Sequence, residues 1–438
     1  MDLLKDNVGK LYRKFFIASF GSALIACIYG LVDMAMVGQY HGPDGSAAMA
    51  VIAPIWNIIY SFGLLCGIGG SVIYAVARGE RDDVKEANGY FTSAFILGVF
   101  WALILWVLVW VCEEPLLRLF GANDALMPLC KEYMVAPKLT VPVYVFINLL
   151  SSFLRNDGDP GRATKAVIFG GIFNVFGDYF FVFTLDMGIK GAGIATAMGA
   201  SMSVLVMLTH FIGKKNTLKF VKPLRILNSF KMISVNGFSS FIVDVAMGIA
   251  TMLFNRRVME YLGTDALAVY GVIVVVGTLV QCCSYGIGQA AQPVISRNFG
   301  AGLTDRIKTM LKYNIITAAV FGAIWTVLSM AMPQVFIKLF MTPTPEVLSI
   351  APGIIRIYAI SFILLPFNIY STYYFQAIMR AKISLIASVA RGIVISGALI
   401  LLLPVAFGGN AVWWAMPITE AVVFVYSAVM MKKVKLSR

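Results

Sequence analysis

The sequence has few charged residues and almost no histidine. Asp, Glu, Lys and Arg make up only 13% of its 438 residues, against about 25% in an ordinary soluble domain. The two histidines, His41 and His210, are far apart, and the six cysteines include no Cys-x-x-Cys pair with a nearby histidine to indicate zinc. This composition argues against a water-soluble fold, and we expect the cysteines to be packing residues.

Motifs of several enzyme classes are also missing. The chain has no P-loop, no Gly-x-Ser-x-Gly nucleophile motif and no His-Glu-x-x-His zinc motif, so ATP is not expected to be its energy source. Gly177-Asp178 lacks the preceding glycine that would make the Gly-x-Gly-Asp motif of intramembrane aspartyl proteases. We therefore expect neither an enzyme nor a bound cofactor.

Apolar residues are abundant, at 59% of the chain. They form runs of roughly 20 to 28 residues, enough for a helix to cross a hydrocarbon core of about 30 Å. Each run must be helical because lipid offers its backbone no hydrogen-bond partner. The sequence thus predicts an all-α polytopic membrane protein with twelve transmembrane helices, numbered here as spans one to twelve, at residues 15–38, 48–77, 91–112, 133–154, 163–184, 188–212, 230–253, 266–295, 314–337, 352–378, 384–407 and 411–431.

The net charge of +13 is located between the spans. The N-terminus, every second loop and the C-terminal tail carry 26 of the 35 Lys and Arg residues, whereas the remaining loops carry 6. Lys165, Lys190 and Lys231, within the first three residues of a predicted span, are counted here with the adjoining loops, and three more, Lys138, Arg356 and Arg391, lie deeper within spans. By the positive-inside rule both termini are predicted to be cytoplasmic, and nucleic-acid binding is not needed to explain the charge.

The spans divide into two related halves. Gly67–Gly69 followed by Arg78 recurs as Gly286–Gly288 followed by Arg297, 219 positions later. Six spans in each half give both halves the same orientation in the membrane, as in transporters whose halves rock about a site at their interface. The prediction is an N-terminal lobe of spans one to six, a basic linker and a C-terminal lobe of spans seven to twelve, at residues 1–212, 213–231 and 232–438.

Carboxylates inside a span are costly, so they are candidates for function. Asp33 in span one and Asp178 in span five lie at a similar predicted depth, roughly 8 to 12 Å below the outer surface. Asn174 precedes Asp178 by four residues and shares its helix face, and Thr196 of span six lies at the same level. Oxygen ligands of this kind suit H⁺ or Na⁺ better than a soft metal. We predict a cation-coupling site at Asp33, Asn174, Asp178 and Thr196, with Na⁺ as one candidate ligand. Alternatively, Asn174 and Asp178 only bond neighbouring helices and Asp33 lies in interfacial water.

Two carboxylates close together in a medium of low dielectric constant favour retention of a proton by one of them, so protonation is a candidate switch. Asp244 in span seven has two interpretations: it faces a central cavity and attracts cationic substrate, or it pairs with a neighbouring helix. Glu420 and Arg391 are expected to neutralise each other. Aromatic side chains facing a cavity would stack on flat organic cations. The candidate substrate-cavity residues are Asp244, Tyr60, Phe153, Tyr373 and Asn368.

The segment RNDGDPGRA, Arg155–Ala163, lies between spans four and five. Its Gly, Asp and Pro residues are turn formers, so we interpret it as a tight connection between two helices. By itself it indicates little about chemistry. His41 and His210 are interpreted as residues of the membrane interface.

These features together resemble the multidrug and toxic compound extrusion (MATE) family over essentially the whole chain. The resemblance rests on GLVDMAMVGQ around Asp33, GIGGSVIYAVARGE at the end of span two and RNDGDPGRATKAVIFGGIFNVFGDYFFVF across span five. The Arg-Asn-Asp run before a proline resembles the bacterial branch that contains the staphylococcal multidrug exporter and its DNA-damage-inducible relatives.

The resemblance implies an antiporter in a bacterial cytoplasmic membrane. Inward flow of H⁺ or Na⁺ would drive outward movement of small organic, often cationic, compounds through a V-shaped cavity between two lobes. The cation site of the family falls here on Asp33, Asn174, Asp178 and Thr196. A second cation site is not expected, because span ten offers Asn368 and Gln376 where some members have an Asp.

The expected partners are these organic substrates and membrane lipids, and the expected functional unit is a monomer. The main alternative is a lipid-linked oligosaccharide flippase of the same superfamily. Its cavity would be lined with Arg and Lys to bind pyrophosphate, and only Lys138, Arg356 and Arg391 lie deeper than the first three residues of a predicted span.

Overall fold

The computed structural model describes residues 2–80, 84–223, 225–341 and 343–436. Its regular structure is helical, with no β-strand in these ranges. Eleven helical segments in this part of the chain are long and apolar enough to cross a membrane. One of them, Ile226–Gly300, has a break at Gly263 and contains two spans. Twelve spans and an all-α membrane fold, as predicted, are confirmed.

Most helices extend beyond the apolar runs that predicted them, because polar residues at the ends of a span continue the helix. Span one, predicted to begin at residue 15, belongs to a helix that begins at Val8. The observed bounds are Val8–Gly42, Asp44–Glu80, Val84–Val111, Pro137–Asn156, Pro160–Thr184 and Gly188–Leu208 for spans one to six, Ile226–Gly300 for spans seven and eight, and Thr304–Ala331, Pro345–Ala377, Ala381–Phe407 and Gly409–Lys433 for spans nine to twelve.

Short helices connect some of the spans. Glu113–Leu119 and Met127–Met134 lie between spans three and four, and Pro333–Phe340 lies between spans nine and ten. Proline occupies one of the first two positions of Met127–Met134 and of Pro333–Phe340. A backbone N–H at these positions has no acceptor within the helix, so proline, which lacks an N–H, breaks no hydrogen bond there.

Two glycines break the longest helices at equivalent places in the two halves. Gly42 between spans one and two has φ 65°, and Gly263 between spans seven and eight has φ 81°. Glycine enters this left-handed region at little cost because it has no Cβ. The two residues are 221 positions apart, so the same turn is built in each half.

Spans five and eleven, the fifth span of each half, both contain a π-helical segment. Tyr179–Thr184 follows Asp178 directly, and Ala390–Val394 contains Arg391. Such segments occur frequently at functional sites. In both lobes, therefore, a charged residue lies at an irregular part of its helix.

The two lobes meet backbone to backbone at the ends of spans two and eight. A Cβ on Gly79 would lie 2.0 Å from the carbonyl oxygen of Arg297, and a Cβ on Gly300 would lie 2.0 Å from that of Val76. Only glycine permits such an approach. We call this contact of Val76, Gly79, Arg297 and Gly300 the seam. It lies at the end of the molecule where the basic linker lies, called the basic end here.

The apolar core is shared between lobes only near the basic end. One cluster of buried apolar residues lies in the part of the N-terminal lobe remote from the basic end. Its described members all fall between Val37 and Ala200. The core of the C-terminal lobe also includes N-terminal-lobe residues, all close to the basic end: Leu3, Val8, Leu11, Phe15, Ile68, Val72 and Val76. The lobes are thus joined at the basic end and have separate cores toward Gly42 and Gly263, which gives the molecule its V shape.

Candidate functional site

The four residues predicted to bind the coupling cation lie together inside the N-terminal lobe. Span one supplies Asp33, span five supplies Asn174 and Asp178, and span six supplies Thr196. Thr196 Oγ1 lies 3.4 Å from Asp33 Oδ2, and Asn174 Nδ2 donates to Thr196 Oγ1 at 3.3 Å. Asp178 is close enough to Asp33 for the two carboxylates to interact electrostatically.

A tyrosine that the sequence did not reveal completes this cluster. The hydroxyl of Tyr133 lies 3.4 Å from Asp33 Oδ2 and 3.2 Å from Thr196 Oγ1, and the side chain is buried. Tyr133 belongs to the short helix Met127–Met134 that precedes span four. A contact between residues 100 positions apart leaves no spacing pattern, so sequence periodicity gave no sign of it.

Several oxygen atoms of the cluster receive no hydrogen bond from any residue that the structure describes. They are both carboxylate oxygens of Asp178, Oδ1 of Asp33 and Oδ1 of Asn174. Asp178 has no exposed surface at all. A buried carboxylate in this state is strongly unfavourable unless it gains a proton or a cation.

The chemistry of these atoms fits a hard cation. All four are oxygen acceptors, which suit H⁺ or Na⁺ and are poor ligands for soft metals. Within the described ranges, no group of three or more His, Cys, Asp or Glu side chains is placed to hold a metal ion. The cluster is thus suited to exchange a small cation.

A second site lies in the C-terminal lobe, at a cavity lined by Asp244, Tyr285, Tyr373 and Arg391, with Leu64 of span two on one side. In this conformation the cavity has room for about one water molecule. Tyr285 donates to Asp244 Oδ1 at 2.6 Å. Asp244 therefore fits both of its interpretations, since it faces the cavity and also pairs with a neighbouring helix.

The other predicted cavity residues lie elsewhere. Phe153 is fully buried in a packed core, with its ring centroid 5.0 Å from that of Phe91, and does not line this cavity. Asn368 is buried behind the cavity, where it bonds Glu420. Tyr60 is partly exposed, with its ring 5.5 Å from Tyr144 in the N-terminal lobe. Composition predicts that such residues lie in spans, but it does not give the face of the helix they occupy.

The expected neutralisation of Glu420 by Arg391 is confirmed. Arg391 Nε donates to Glu420 Oε1 at 2.8 Å, and Asn368 Nδ2 donates to Glu420 Oε2 at 2.6 Å. Glu420 is completely buried, whereas the Arg391 side chain reaches the cavity. Both carboxylate oxygens of Glu420 thus have donors, in contrast with those of Asp178.

His210, expected at the membrane interface, follows the end of span six, and its side chain is completely buried inside the protein. Its ring nitrogens lie 2.7 Å from Asp157 Oδ2 and 3.4 Å from Asp159 Oδ2. Burial opposes ionisation of Asp159, but Lys215, Arg162 and His210 together hold the pKa of this carboxyl below its ordinary value. Asp159 therefore anchors basic side chains at the end of span four.

Comparison with known proteins places these features in a family. The family model MatE matches residues 18–180 and 238–401, one segment in each half. The multidrug export protein MepA of Staphylococcus haemolyticus is 24% identical over 426 residues, covering 95% of this chain and 92% of that protein. MepA of Staphylococcus saprophyticus is 24% identical over 428 residues with the same coverage.

Solved structures share the fold over nearly the full length. A multidrug resistance MATE family transporter of the MOP superfamily, in an outward-facing conformation, superposes with a TM-score of 0.89 at 22% identity, covering 98% of this chain and 97% of the other. A MOP superfamily transporter from Pyrococcus furiosus gives a TM-score of 0.88 at 22% identity with the same coverage. The two-lobed arrangement of twelve spans is the fold of these transporters.

Proposed function

Because the chain belongs to the MatE family of transporters, we propose that it is a secondary active multidrug efflux antiporter. It exports organic, mainly cationic, compounds in exchange for H⁺ or Na⁺. Membership of a transporter family supports transport rather than enzymatic catalysis, and the similarity to multidrug export proteins over 95% of the chain supports small organic compounds as cargo.

The observation that carries the proposal is the environment of Asp178. Its carboxylate is fully buried beside Asp33, and neither of its oxygens accepts a hydrogen bond from a described residue. A proton or Na⁺ arriving there removes the cost of the buried charge and changes the preferred packing of spans one, five and six. A ligand shifts such an equilibrium only by its different affinity for the two states, so the cation and the exported compound compete for one conformational change.

The residues around the C-terminal-lobe cavity support a cationic cargo, and the cavity must widen from its present room for about one water molecule to admit it. Asp244 offers a carboxylate there, and aromatic rings such as Tyr373 offer faces for a flat cation. The basic residue of the cavity, Arg391, is already neutralised by Glu420. A lipid-linked pyrophosphate would need several uncompensated positive charges, so this cavity favours the exporter over the flippase alternative.

We propose the same division into lobes and the same membrane orientation that the sequence predicts. We place the N-terminal lobe at residues 1–212, the basic linker at 213–231 and the C-terminal lobe at 232–438, with both termini in the cytoplasm of a bacterium. A monomer as the functional unit stays a prediction.

The proposal predicts that Asp33→Asn abolishes coupled export. The test measures efflux of ethidium from vesicles that contain the purified full chain, with pH and Na⁺ gradients imposed separately. The parent protein should export ethidium under one gradient, which names the coupling ion. Asp33→Asn should reduce export to the level of empty vesicles, because the amide cannot take up and release a proton and binds Na⁺ poorly.

Asp305→Asn is the matched control, since Asp305 lies in the first turn of the helix of span nine and its side chain is 95% exposed. It should export ethidium as the parent does. If Asp33→Asn still exports ethidium against its gradient, the N-terminal-lobe site does not couple transport. If the parent moves ethidium under neither gradient, the exporter proposal fails, and a lipid-linked sugar becomes the next substrate to test.

A further inference from the structure

The segment Arg155–Asp159, which the sequence suggested was only a turn, contacts two different parts of the molecule. Arg155 and Asn156 end span four and reach across to span eight of the C-terminal lobe. Asp157 and Asp159 face their own lobe and the linker that follows span six. The motif therefore does more than connect two helices.

Asn156 and Gln292 form a reciprocal pair of amides between the lobes. Asn156 Nδ2 donates to Gln292 Oε1 at 3.1 Å, and Gln292 Nε2 donates to Asn156 Oδ1 at 3.4 Å. The two residues are only 3% and 4% exposed. Each amide also bonds within its own helix, to the carbonyl of Ser152 and the hydroxyl of Ser296. All four polar atoms of the pair are thus satisfied while the lobes are in contact.

Arg155 adds a charged donor to the same interface. Its guanidinium donates to the side-chain oxygen of Gln289 on span eight and to Ser151 one turn earlier on span four. The side chain is buried, and no carboxylate of the described residues pairs with it. A buried charge held only by neutral partners is sensitive to the loss of any one of them, so Arg155 depends on Gln289 of the opposite lobe.

The two aspartates fix this motif to the N-terminal lobe. Asp157 accepts hydrogen bonds from Tyr74 at 3.1 Å and from the backbone N–H of Thr217 at 2.9 Å, and it lies against His210. Asp159 pairs with Arg162 at 3.2 Å and Lys215 at 3.3 Å. Arg155 and Asn156 are therefore presented to the C-terminal lobe from a rigid base.

The position of these bonds links them to the direction in which the cavity opens. Spans four and eight both approach the basic end here, on the same side of the molecule as the seam. A transporter of two rocking lobes exposes its site alternately at its two ends. Opening the basic end would pull Asn156 away from Gln292 and Arg155 away from Gln289. These bonds exist only while that end is closed, so they bias the equilibrium toward this state.

We propose that Arg155 and Asn156 of span four, with Gln289 and Gln292 of span eight, form an interlobe latch that sets which end of the transporter is open. The four residues are positioning residues: their bonds to one another join the two lobes, and they act through the relative placement of the lobes. The latch rests on the proposed transport function, because it assumes that the lobes move.

The test measures the distance between the lobes at the end remote from the latch. Nitroxide labels at Asp44→Cys and Asp265→Cys occupy exposed positions beside the turns at Gly42 and Gly263. The full chain, with its six natural cysteines replaced, is reconstituted into lipid nanodiscs, and double electron–electron resonance gives the distance distribution. When the basic end is closed, the two labels at the opposite end are far apart. In the parent, this long label-to-label distance should dominate the distribution.

Asn156→Leu and Gln292→Met preserve side-chain size but remove the reciprocal bonds. Each should raise the ratio of short to long distances by about tenfold, the effect of losing one or two buried hydrogen bonds. The exchange Asn156→Gln with Gln292→Asn keeps the combined length of the pair and should restore most of the parent distribution. If Asn156→Leu does not yield folded protein, Gln289→Met provides the same test from the other side.

The matched control is Gln376→Met. Gln376 is a fully buried amide of the same type, but it bonds the Asn236 carbonyl and Ser240 inside the C-terminal lobe. It should lower stability without changing the distance ratio. Unchanged ratios in both Asn156→Leu and Gln292→Met would overturn the latch. The distance readout needs no cargo, so failure of the ethidium assay and failure of the latch are separate results.

Discussion

Asp178 and Glu420 are both completely buried carboxylates, and they differ in what surrounds them. Glu420 has a guanidinium on one oxygen and an amide on the other, so its charge is balanced permanently. Asp178 has no donor from the described residues on either oxygen. Burial alone therefore does not separate Glu420, a structural acid, from Asp178, the proposed coupling acid, whereas the donors around each carboxylate oxygen do.

Removing the Arg391 guanidinium that neutralises Glu420 should destabilise the protein strongly. Arg391→Gln leaves a buried carboxylate without its cation, and breaking such a pair costs about 3 to 5 kcal/mol. We expect a large drop in the thermal unfolding temperature of the purified protein in detergent. The double variant Arg391→Gln with Glu420→Gln should recover most of the loss, because no buried charge remains.

A partly exposed pair provides the comparison for Arg391. Arg257 pairs with Glu260 at 2.8 Å, and the two side chains are 21% and 49% exposed. Arg257→Gln should change stability by no more than about 1 kcal/mol, as is usual for surface pairs. Equal unfolding temperatures for Arg391→Gln and Arg257→Gln would show that the buried pair does not stabilise the fold.

The sequence predicted the main members of the N-terminal-lobe cluster but not its full environment. Asp33, Asn174, Asp178 and Thr196 were identifiable because polar residues at equal depth in apolar helices are conspicuous. Tyr133 and Tyr285 were not, since the chain has 18 tyrosines and the partner of each of these two is remote in sequence. Phe153 packs in the core with Phe91 instead of lining the cavity at Asp244, a difference that hydropathy cannot reveal because it does not give the rotation of a helix about its axis.

At the scale of elements, hydropathy predicted the existence and order of the spans because the bilayer imposes a minimum length on each apolar run. The ends were less predictable: the helix of span one begins at Val8 because polar residues outside the apolar run continue it. The π-helical segments at Tyr179–Thr184 and Ala390–Val394 left no sign in the apolar pattern. Their formation depends on packing against neighbouring helices.

The close contact of spans two and eight should not tolerate a methyl group. A Cβ on Gly300 would lie 2.0 Å from the Val76 carbonyl oxygen, so Gly300→Ala must push the two helices apart. We expect a loss of about 1 to 3 kcal/mol, typical of overpacking. Thermal unfolding in detergent measures the loss, and limited proteolysis at the basic end should become faster.

Gly271→Ala in the same long helix is the matched control. No atom lies within 4 Å of a Cβ at Gly271, and alanine is favoured over glycine inside a helix by roughly 0.5 to 1 kcal/mol. This variant should unfold at the parent temperature or slightly above it. A Gly300→Ala protein as stable as Gly271→Ala would mean that the backbones can separate at no cost.

At the scale of the whole molecule, the asymmetry of Lys and Arg predicts the orientation in the membrane. Asp265, beside the turn at Gly263, should face the exterior, and Asp305, next to the basic loop before span nine, should face the cytoplasm. In intact cells, a membrane-impermeant maleimide should label Asp265→Cys in a background without natural cysteines. It should label Asp305→Cys only after the cells are permeabilised.

The reverse labelling pattern would place the basic loops outside and invert the direction of export. Labelling of both positions in intact cells would indicate damaged membranes. A cytoplasmic marker protein serves as the check, because it stays unlabelled while the membranes are intact. The two positions are both highly exposed in the structure, so a difference in reaction reports the side of the membrane rather than burial.

The seam has the geometry of a two-fold interface. Gly79 meets the carbonyl of Arg297, and Gly300 meets the carbonyl of Val76; both residues of the second half lie 221 positions after their first-half counterparts. Each side thus gives and receives the same contact, as two identical subunits do in a symmetric dimer. An ancestral chain of half the length, with six spans and both termini on one side, would have had the means to pair with its own copy before duplication joined the two.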